Sequence, residues 1–311
     1  MRVYLATVFV LMSIIAAIPA IAASDRDAAH AKADQAYSDG DHATALKIWR
    51  PLAEQGDARA QLNLGEMYGA GRGVPEDYAA AAKWFRKAAE QGDVTAQYYL
   101  GLMYIGGKGI PEDYAAAVIW LRKAAEQGDV RAQHNLGRMY RNGVGVPQDY
   151  AAAVKWYRKA AEQGDAWAQY RLGFMYKMGR GVPQDYAAAV TWFREAAEQG
   201  DAWSQTNLGD MYESGHGVPE DDAAAVTWYR KAAEQGEEVA QNNLGVMYAG
   251  GKGVPQDDIA AHMWHNIAAA NGSKNAPENR DSIAKGLSSA DIMEAQKRAK
   301  RCLESGYKDC N

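Results

Sequence analysis

The chain has little with which to do chemistry. Of its 311 residues only two are cysteine, Cys302 and Cys310; both stand at the far C-terminal end, and their spacing is not C-x-x-C, which argues against a redox-active thiol pair. A basic excess is missing too. There are 34 lysines and arginines against 39 aspartates and glutamates, a net charge of −5, so the electrostatic footprint of a nucleic-acid binder is absent. No nucleophile motif, paired acid–base site or phosphate loop stands out, and most carboxylates recur where helices need caps. After the first two dozen residues, no apolar run is long enough to cross a bilayer. The expectation is a protein without catalysis, cofactor or metal.

The one apolar run is short and N-terminal. Arg2 supplies a positive start, Val8 to Ile18 an apolar stretch, and Ala20-Ile21-Ala22 a small-x-small cleavage signal. Together they predict a signal peptide over 1–23, cut near Ala22 or Ala23, and a periplasmic or secreted mature chain with no stable membrane insertion. An uncleaved anchor is the competing reading, and the shortness of the stretch counts against it. No cysteine follows the cut, which argues against a lipoprotein anchor. In an exported chain, Cys302 and Cys310 read as a disulfide closing a small terminal loop.

What fills the rest is repetition. A block of 36 residues, first seen from Asp57 to Gly92, recurs from Asp93, Asp129, Asp165, Asp201 and Glu237 with no insertion or deletion. A period of this length marks a solenoid, in which each unit buries its apolar face only by stacking on its neighbours. In the third copy, Asp129 is placed to cap a first helix whose buried face is Ala132, Leu136, Met139 and Tyr140. Gly143 and Gly145 end it, and Val146-Pro147 forces extended backbone. Asp149 caps a second helix carrying Ala152, Ala153, Trp156, Ala160 and Ala161, and Gly164 stops it. The recurring G-x-G is a helix stop and not a dinucleotide loop: no strand precedes it, and proline stands near the third-glycine place. The tryptophans on the 36-residue beat, Trp84, Trp120, Trp156, Trp192, Trp228 and Trp264, are expected in the core.

The elements A-x-x-L-G-x-M-Y, G-x-G-V-P-x-D and A-x-x-W-x-R-K-A-A-E-Q-G resemble Sel-one-like repeats, a branch of the tetratricopeptide superfamily. The resemblance covers 57–272 as six copies. Residues 24–56, with DGDHATALKIWRPLAEQG at their end, resemble a partial unit with a shorter loop, and 273–311 resemble the helices that close such arrays, with Ser288-x-x-Asp291 as a capping box. The implied fold is all-α: a right-handed superhelical solenoid of antiparallel helix pairs. The implied role is a protein-binding adaptor. Some cysteine-rich relatives are weak β-lactamases with a cysteine pair in each repeat; this chain has none in its repeats.

The second helices are nearly identical, whereas the first vary at positions three, six, ten and thirteen of the repeat, which fall on one helical face. In the resembled arrays the first helices line the concave groove. The stripe gathers Tyr98 and Leu102 in the second repeat, Arg131, His134, Arg138 and Arg141 in the third, Trp167, Tyr170 and Phe174 in the fourth, and Trp203 in the fifth. A contiguous exposed aromatic patch marks a recognition surface. These residues are the expected site for a protein or peptide ligand, and arginines beside the aromatics, Arg171 among them, point to acidic groups on it. The plainer reading is drift on a solvated face, with the larger side chains packed between neighbouring first helices. Two other functions fit the same scaffold: a cell-wall or β-lactam hydrolase, which needs a polar cluster with a nucleophile, and a membrane-tethered regulator of a sensor, which needs the leader retained. Asp258, His262 and His265 share one helical face at i, i+4 and i+7 and form the one metal-like spacing, weaker than its reading as surface residues.

Overall fold

The computed structural model describes residues 23–310, so all but the last residue of the expected signal peptide lies outside it. Among the described residues there are helices and no strand. They fall into two compact units. The first, up to Gln91, contains α1 (Ala23–Ser38), α2 (His42–Glu54), α3 (Ala58–Ala70) and α4 (Tyr78–Glu90). The second runs from Gly92 and holds five helix pairs: α5 (Val94–Gly106) with α6 (Tyr114–Glu126), α7 (Val130–Asn142) with α8 (Tyr150–Ala161), α9 (Ala166–Met178) with α10 (Tyr186–Glu198), α11 (Ala202–Ser214) with α12 (Asp222–Ala233), and α13 (Glu238–Gly250) with α14 (Asp258–Ala270). Then come α15 (Ala276–Ala284) and α16 (Ser289–Glu304), which pack on α14. In the second unit each pair packs on the next, the arrangement of an α/α solenoid.

Each helix begins and ends for a local reason. The amide of Ala132 donates to the Asp129 carboxylate at 2.8 Å, and that of Ala152 to Asp149 at 2.9 Å, satisfying orphan N–H groups at the two starts. Gly143, at φ 70°, closes α7 in the left-handed conformation. The second glycine of the motif does more than stop a helix. Gly145 lies so close to α6 that a Cβ there would stand 2.3 Å from the carbonyl oxygen of Tyr114. The loop of one repeat therefore seats directly on the backbone of the repeat before it.

The core is built from a glycine slot. A Cβ on Gly137 would meet the Tyr157 ring at 2.4 Å, and one on Gly209 would meet the Tyr229 ring at 2.5 Å. The missing side chain in the first helix admits a large one from the second, filled by Phe85, Leu121, Tyr157, Phe193, Tyr229 or His265 according to the repeat. These are the deeply buried residues, Leu121, Tyr157, Phe193 and Tyr229 being fully enclosed. The tryptophan column, one residue earlier, departs from the expectation of a core ring. Trp156 and Trp264 are buried, but Trp84, Trp120, Trp192 and Trp228 are only partly so. The reason is angular: one residue along a helix turns the side chain from the glycine slot toward the surface. There the ring carries a lysine ammonium on its face, as with Lys123 over Trp120 at 4.3 Å and Lys231 over Trp228 at 4.1 Å.

Polar stitches recur at every seam of the second unit. Buried Gln133 donates to the Ala125 carbonyl of the preceding pair at 3.1 Å and accepts from Gln163 at 2.8 Å. Arg194 donates to the Tyr212 hydroxyl of the next repeat at 2.9 Å. Such bonds add about 0.5–1.5 kcal/mol each and fix register. At the end of the array Asn271 takes the glutamine's part toward Gln241, at 2.8 Å, and also meets the Tyr307 hydroxyl. Ser288 and Asp291 form a capping box at the start of α16. That helix buries Ala295, Ala299 and Cys302 against Met263, Trp264 and Ile267, and Cys302 is disulfide-bonded to Cys310.

Candidate functional site

The variable stripe forms a ladder between neighbouring first helices of the second unit. Position six of one repeat meets position three of the next. The Arg131 guanidinium lies 4.2 Å from the Tyr98 ring centroid, His134 stacks on Trp167 at 4.0 Å, and Tyr170 faces Trp203 at 5.9 Å. Trp167 also meets the edge of Tyr157, and Arg171 sits over both Trp167, at 4.4 Å, and Tyr170, at 5.0 Å. Tyr98, Leu102, His134, Trp167, Tyr170 and Phe174 are half-buried by this packing. Trp203 keeps 50 % of its surface exposed, far more than an aromatic needs for folding. The flanks of the stripe thus interlock, and its outer edge at Trp203 stays open.

The third-repeat arginines differ among themselves. Arg131 is engaged, with its Nη2 2.7 Å from the Asp129 carboxylate. Arg138 and Arg141 reach only the side-chain amide oxygens of Asn135 and Asn142, each at 3.2 Å, and neither has a carboxylate partner. Arg171 is half-buried with its Nε enclosed and without a hydrogen-bond partner. Burial, then the neighbouring Arg141, pulls the Arg171 pKa down, although a guanidinium remains charged.

Two repeats further on, the same positions carry the opposite charge. Tyr229 donates toward Asp210 Oδ1 at 2.9 Å and Glu213 Oε2 at 2.8 Å. Lys177 Nζ lies 3.5 Å from Asp210, Asn243 donates to Asp210 at 3.3 Å, and Lys252 Nζ is 3.9 Å from Glu213. Burial is the main cause that pushes Asp210 above the ordinary carboxylate range, and it likewise pushes the Tyr229 hydroxyl up. A cleft of ≈ 410 Å³ opens here, lined by Lys177, Asp210, Met211, Glu213, Ser214, His216 and Lys252. Its acids are largely neutralised in place, so the negative end of the stripe is weaker than its sequence alone implies.

Tyr157 and Tyr229 join the charged positions of the stripe from second helices, outside its variable first-helix positions. They sit on second helices, where a tyrosine among Phe85, Leu121 and Phe193 reads as ordinary core variation. The Tyr229 hydroxyl bonds positions ten and thirteen of the first helix, the Tyr157 hydroxyl has the arginines of those positions as charged neighbours, and the coincidence of tyrosine with two charges there is the signal that marks both.

The histidine spacing near the last repeat resolves differently. His262 and His265 are buried and not on the surface. His265 fills the glycine slot against Gly245, its Nδ1 3.2 Å from Asn242, and burial lowers its pKa to about 4, keeping the ring neutral. Among the described residues no group of three His, Cys, Asp or Glu side chains is placed to hold a metal ion.

Helix pairs of constant length, glycine slots and repeated polar seams define a helical-repeat protein of the tetratricopeptide-like class. The Sel1 repeat model matches residues 58–93, 94–129, 130–165, 168–201, 204–237 and 239–273, and the chain belongs to the Sel1 repeat family. Among solved structures, the chain is similar to c5321, a protective antigen of uropathogenic Escherichia coli strains with an SLR fold, at 43 % identity and TM-score 0.74, over 85 % of this chain and 57 % of that one. It therefore spans little more than half of the Escherichia coli protein. A Sel1 repeat protein from Oxalobacter formigenes is similar at 34 % identity and TM-score 0.65, over 77 % of this chain and 96 % of that one. No curated protein matches the chain significantly. Sel1 repeats mediate protein–protein interaction, and proteins built from them are generally non-catalytic scaffolds. Among the described residues no helix is long and apolar enough to cross a membrane.

Proposed function

We propose that the chain is an exported, non-catalytic adaptor that binds a protein or peptide with acidic groups along the groove face of its first helices. The observation that carries this reading is the half-exposed Trp203, which meets Tyr170 in a tilted pair on the same stripe as Trp167 and as Arg138 and Arg141, two arginines without a carboxylate partner. The ladder holds these side chains rigid before a ligand arrives, so little ordering entropy remains to oppose binding. Tyr98, Leu102 and His134 extend the face toward the second repeat, Phe174 packs with Tyr170 on the core cluster around Phe193, and Arg131 braces Tyr98. Export rests on the N-terminal apolar run ending in Ala20-Ile21-Ala22, and the antigenic character of the similar Escherichia coli protein supports it. On this reading 1–23 is the leader, 24–56 the partial unit, 57–272 the repeats and 273–311 the cap.

The test is an affinity pull-down from the source's envelope fraction with the mature protein beside a Trp167→Ala/Trp203→Ala variant. A partner captured by the first and lost by the second supports the groove. A partner retained equally by both places binding elsewhere. N-terminal sequencing of the envelope protein checks the leader: a first residue near Ser24 is expected, and a start at Met1 contradicts it.

A further inference from the structure

The internal repeat provides a control that few single sites have. Arg138, Arg141 and Tyr157 occupy the places that Asp210, Glu213 and Tyr229 occupy 72 residues later. In the later repeat the tyrosine hydroxyl has two carboxylate acceptors within 2.9 Å, both supplied by the chain itself. In the earlier one the Tyr157 hydroxyl is fully enclosed and has no hydrogen-bond partner. A buried unsatisfied hydroxyl is costly, and native structures give such groups a partner. Its charged neighbours are Arg141, Arg171 and Arg138, and all three lack a carboxylate. Arg171 belongs to this corner by the same logic, for Asn243, its equivalent, reaches Asp210 in the later repeat. The acceptors here are the neutral amide oxygens of Asn135 and Asn142, which meet Arg138 and Arg141, and no carboxylate pairs with the three arginines.

The geometry points to a carboxylate-binding subsite in the third repeat, where an acidic side chain of a peptide ligand accepts from Arg138, Arg141, Arg171 and the Tyr157 hydroxyl. The ligand would supply what Asp210 and Glu213 supply internally to Tyr229. Carboxylate is favoured over a larger oxyanion because the corresponding corner is filled by two carboxylates on the same backbone frame. The adjoining cleft, ≈ 220 Å³, is lined by Ile105, Tyr114, Met139 and Val144 with Arg138 and Asn142 at its polar side. It is the counterpart of the charged cleft of the fifth repeat, and here it suits an apolar side chain next to the acid. This inference deepens the groove reading and rests on it for the ligand being a peptide.

The test uses defined probes on the mature full chain: acetyl-Leu-Glu-Glu-amide, its Leu-Gln-Gln analogue, and inorganic phosphate. Arginine Nε–H and tryptophan indole resonances are followed by nitrogen-15 NMR. Saturable shifts at Arg171 Nε–H and the Trp167 indole are expected with the glutamate peptide alone. Arg138→Asp/Arg141→Glu copies the fifth repeat's arrangement and should bind at least ten-fold more weakly; Arg141→Gln reads the same effect should the double variant not fold. Tyr157→Phe should weaken binding several-fold. Equal binding of the glutamine peptide or of phosphate, or unchanged binding in the arginine variants, overturns the inference. Failure of the groove reading looks different: peptide shifts persist at Arg171 while the pulled-down partner ignores Trp203→Ala.

Discussion

The third and fifth repeats share a frame and differ in what they leave open. Both seat a tyrosine in a glycine slot, cap both helices with aspartate and are stitched to the next repeat by that repeat's glutamine and by their own arginine. In the fifth, opposite charges meet within the chain, and Lys177, Asp210, Glu213 and Lys252 close on one another around Tyr229. In the third, Arg138, Arg141 and Arg171 stand together around a hydroxyl without a partner. Identical packing thus supports a corner that is complete and one that needs something from outside. The difference lies in the charges at positions ten and thirteen and not in the packed frame.

Removing the shared part should give the largest effect and the same one in both places. Tyr157→Ala and Tyr229→Ala each empty a glycine slot and should cost about 3–5 kcal/mol by chemical denaturation. Once the hydroxyl's separate share, read from the phenylalanine variants, is subtracted, a remaining gap of more than about 1 kcal/mol would break the claim of a common frame. Next comes the hydroxyl alone. Tyr229→Phe strands two carboxylates and should cost about 1–3 kcal/mol, whereas Tyr157→Phe removes an unsatisfied group and should be neutral or mildly stabilising. Equal losses would mean that Tyr157 already has an acceptor.

Acid separates the repeats more gently. Burial pushes Asp165 up, but the hydrogen bonds from His134 and the Ala168 amide outweigh it and hold the carboxyl below its ordinary range. Its stabilisation is therefore present above the unfolded-state value and lost as pH falls through the folded one. Asp210 has the opposite sign: with its pKa raised by burial, protonation favours the folded state, and stability is gained as pH falls through that raised value. Asp165→Asn should lower stability at pH 7 by about 1 kcal/mol, a gap that closes below about pH 4, while Asp210→Asn should be no less stable than the parent at pH 7. Melting curves from pH 7 down to about pH 2 check both signs. The smallest effect is expected at the open edge: Trp203→Ala should shift stability by no more than about 0.5 kcal/mol. A loss as large as that of Tyr229→Ala would show the edge to be part of the core.

Much of this was legible in the sequence. The period, the aspartate caps and the glycine stops depend on nearest neighbours along the chain, so composition and spacing carry them. The tryptophan column misled because periodicity shows that a position matters and not how deeply it sits; Trp120 and Leu121 are adjacent in sequence and face different surroundings. The stripe residues were identified as a face, but their pairing across repeats, Tyr98 with Arg131 and His134 with Trp167, depends on how first helices abut. The buried corner of Tyr157 was hidden for a further reason. It joins a second helix to a first at a separation of 16–19 residues and then to Arg171 of the next repeat, a combination no linear motif records.

The seam glycines carry one more consequence. Because Gly145, Gly181, Gly217 and Gly253 each lie against the backbone of the preceding pair, these four junctions of the second unit share one backbone seat, whatever side chains meet beside it. A deletion of one whole period would rejoin like to like. Excising 165–200, for instance, would set the arginine repeat directly beside the acidic one, with the same backbone seat and a new rung of His134 opposite Trp203. The chain can therefore be edited in units, as a sentence is by clauses, and its recognition surface rearranged while its foldability is inherited.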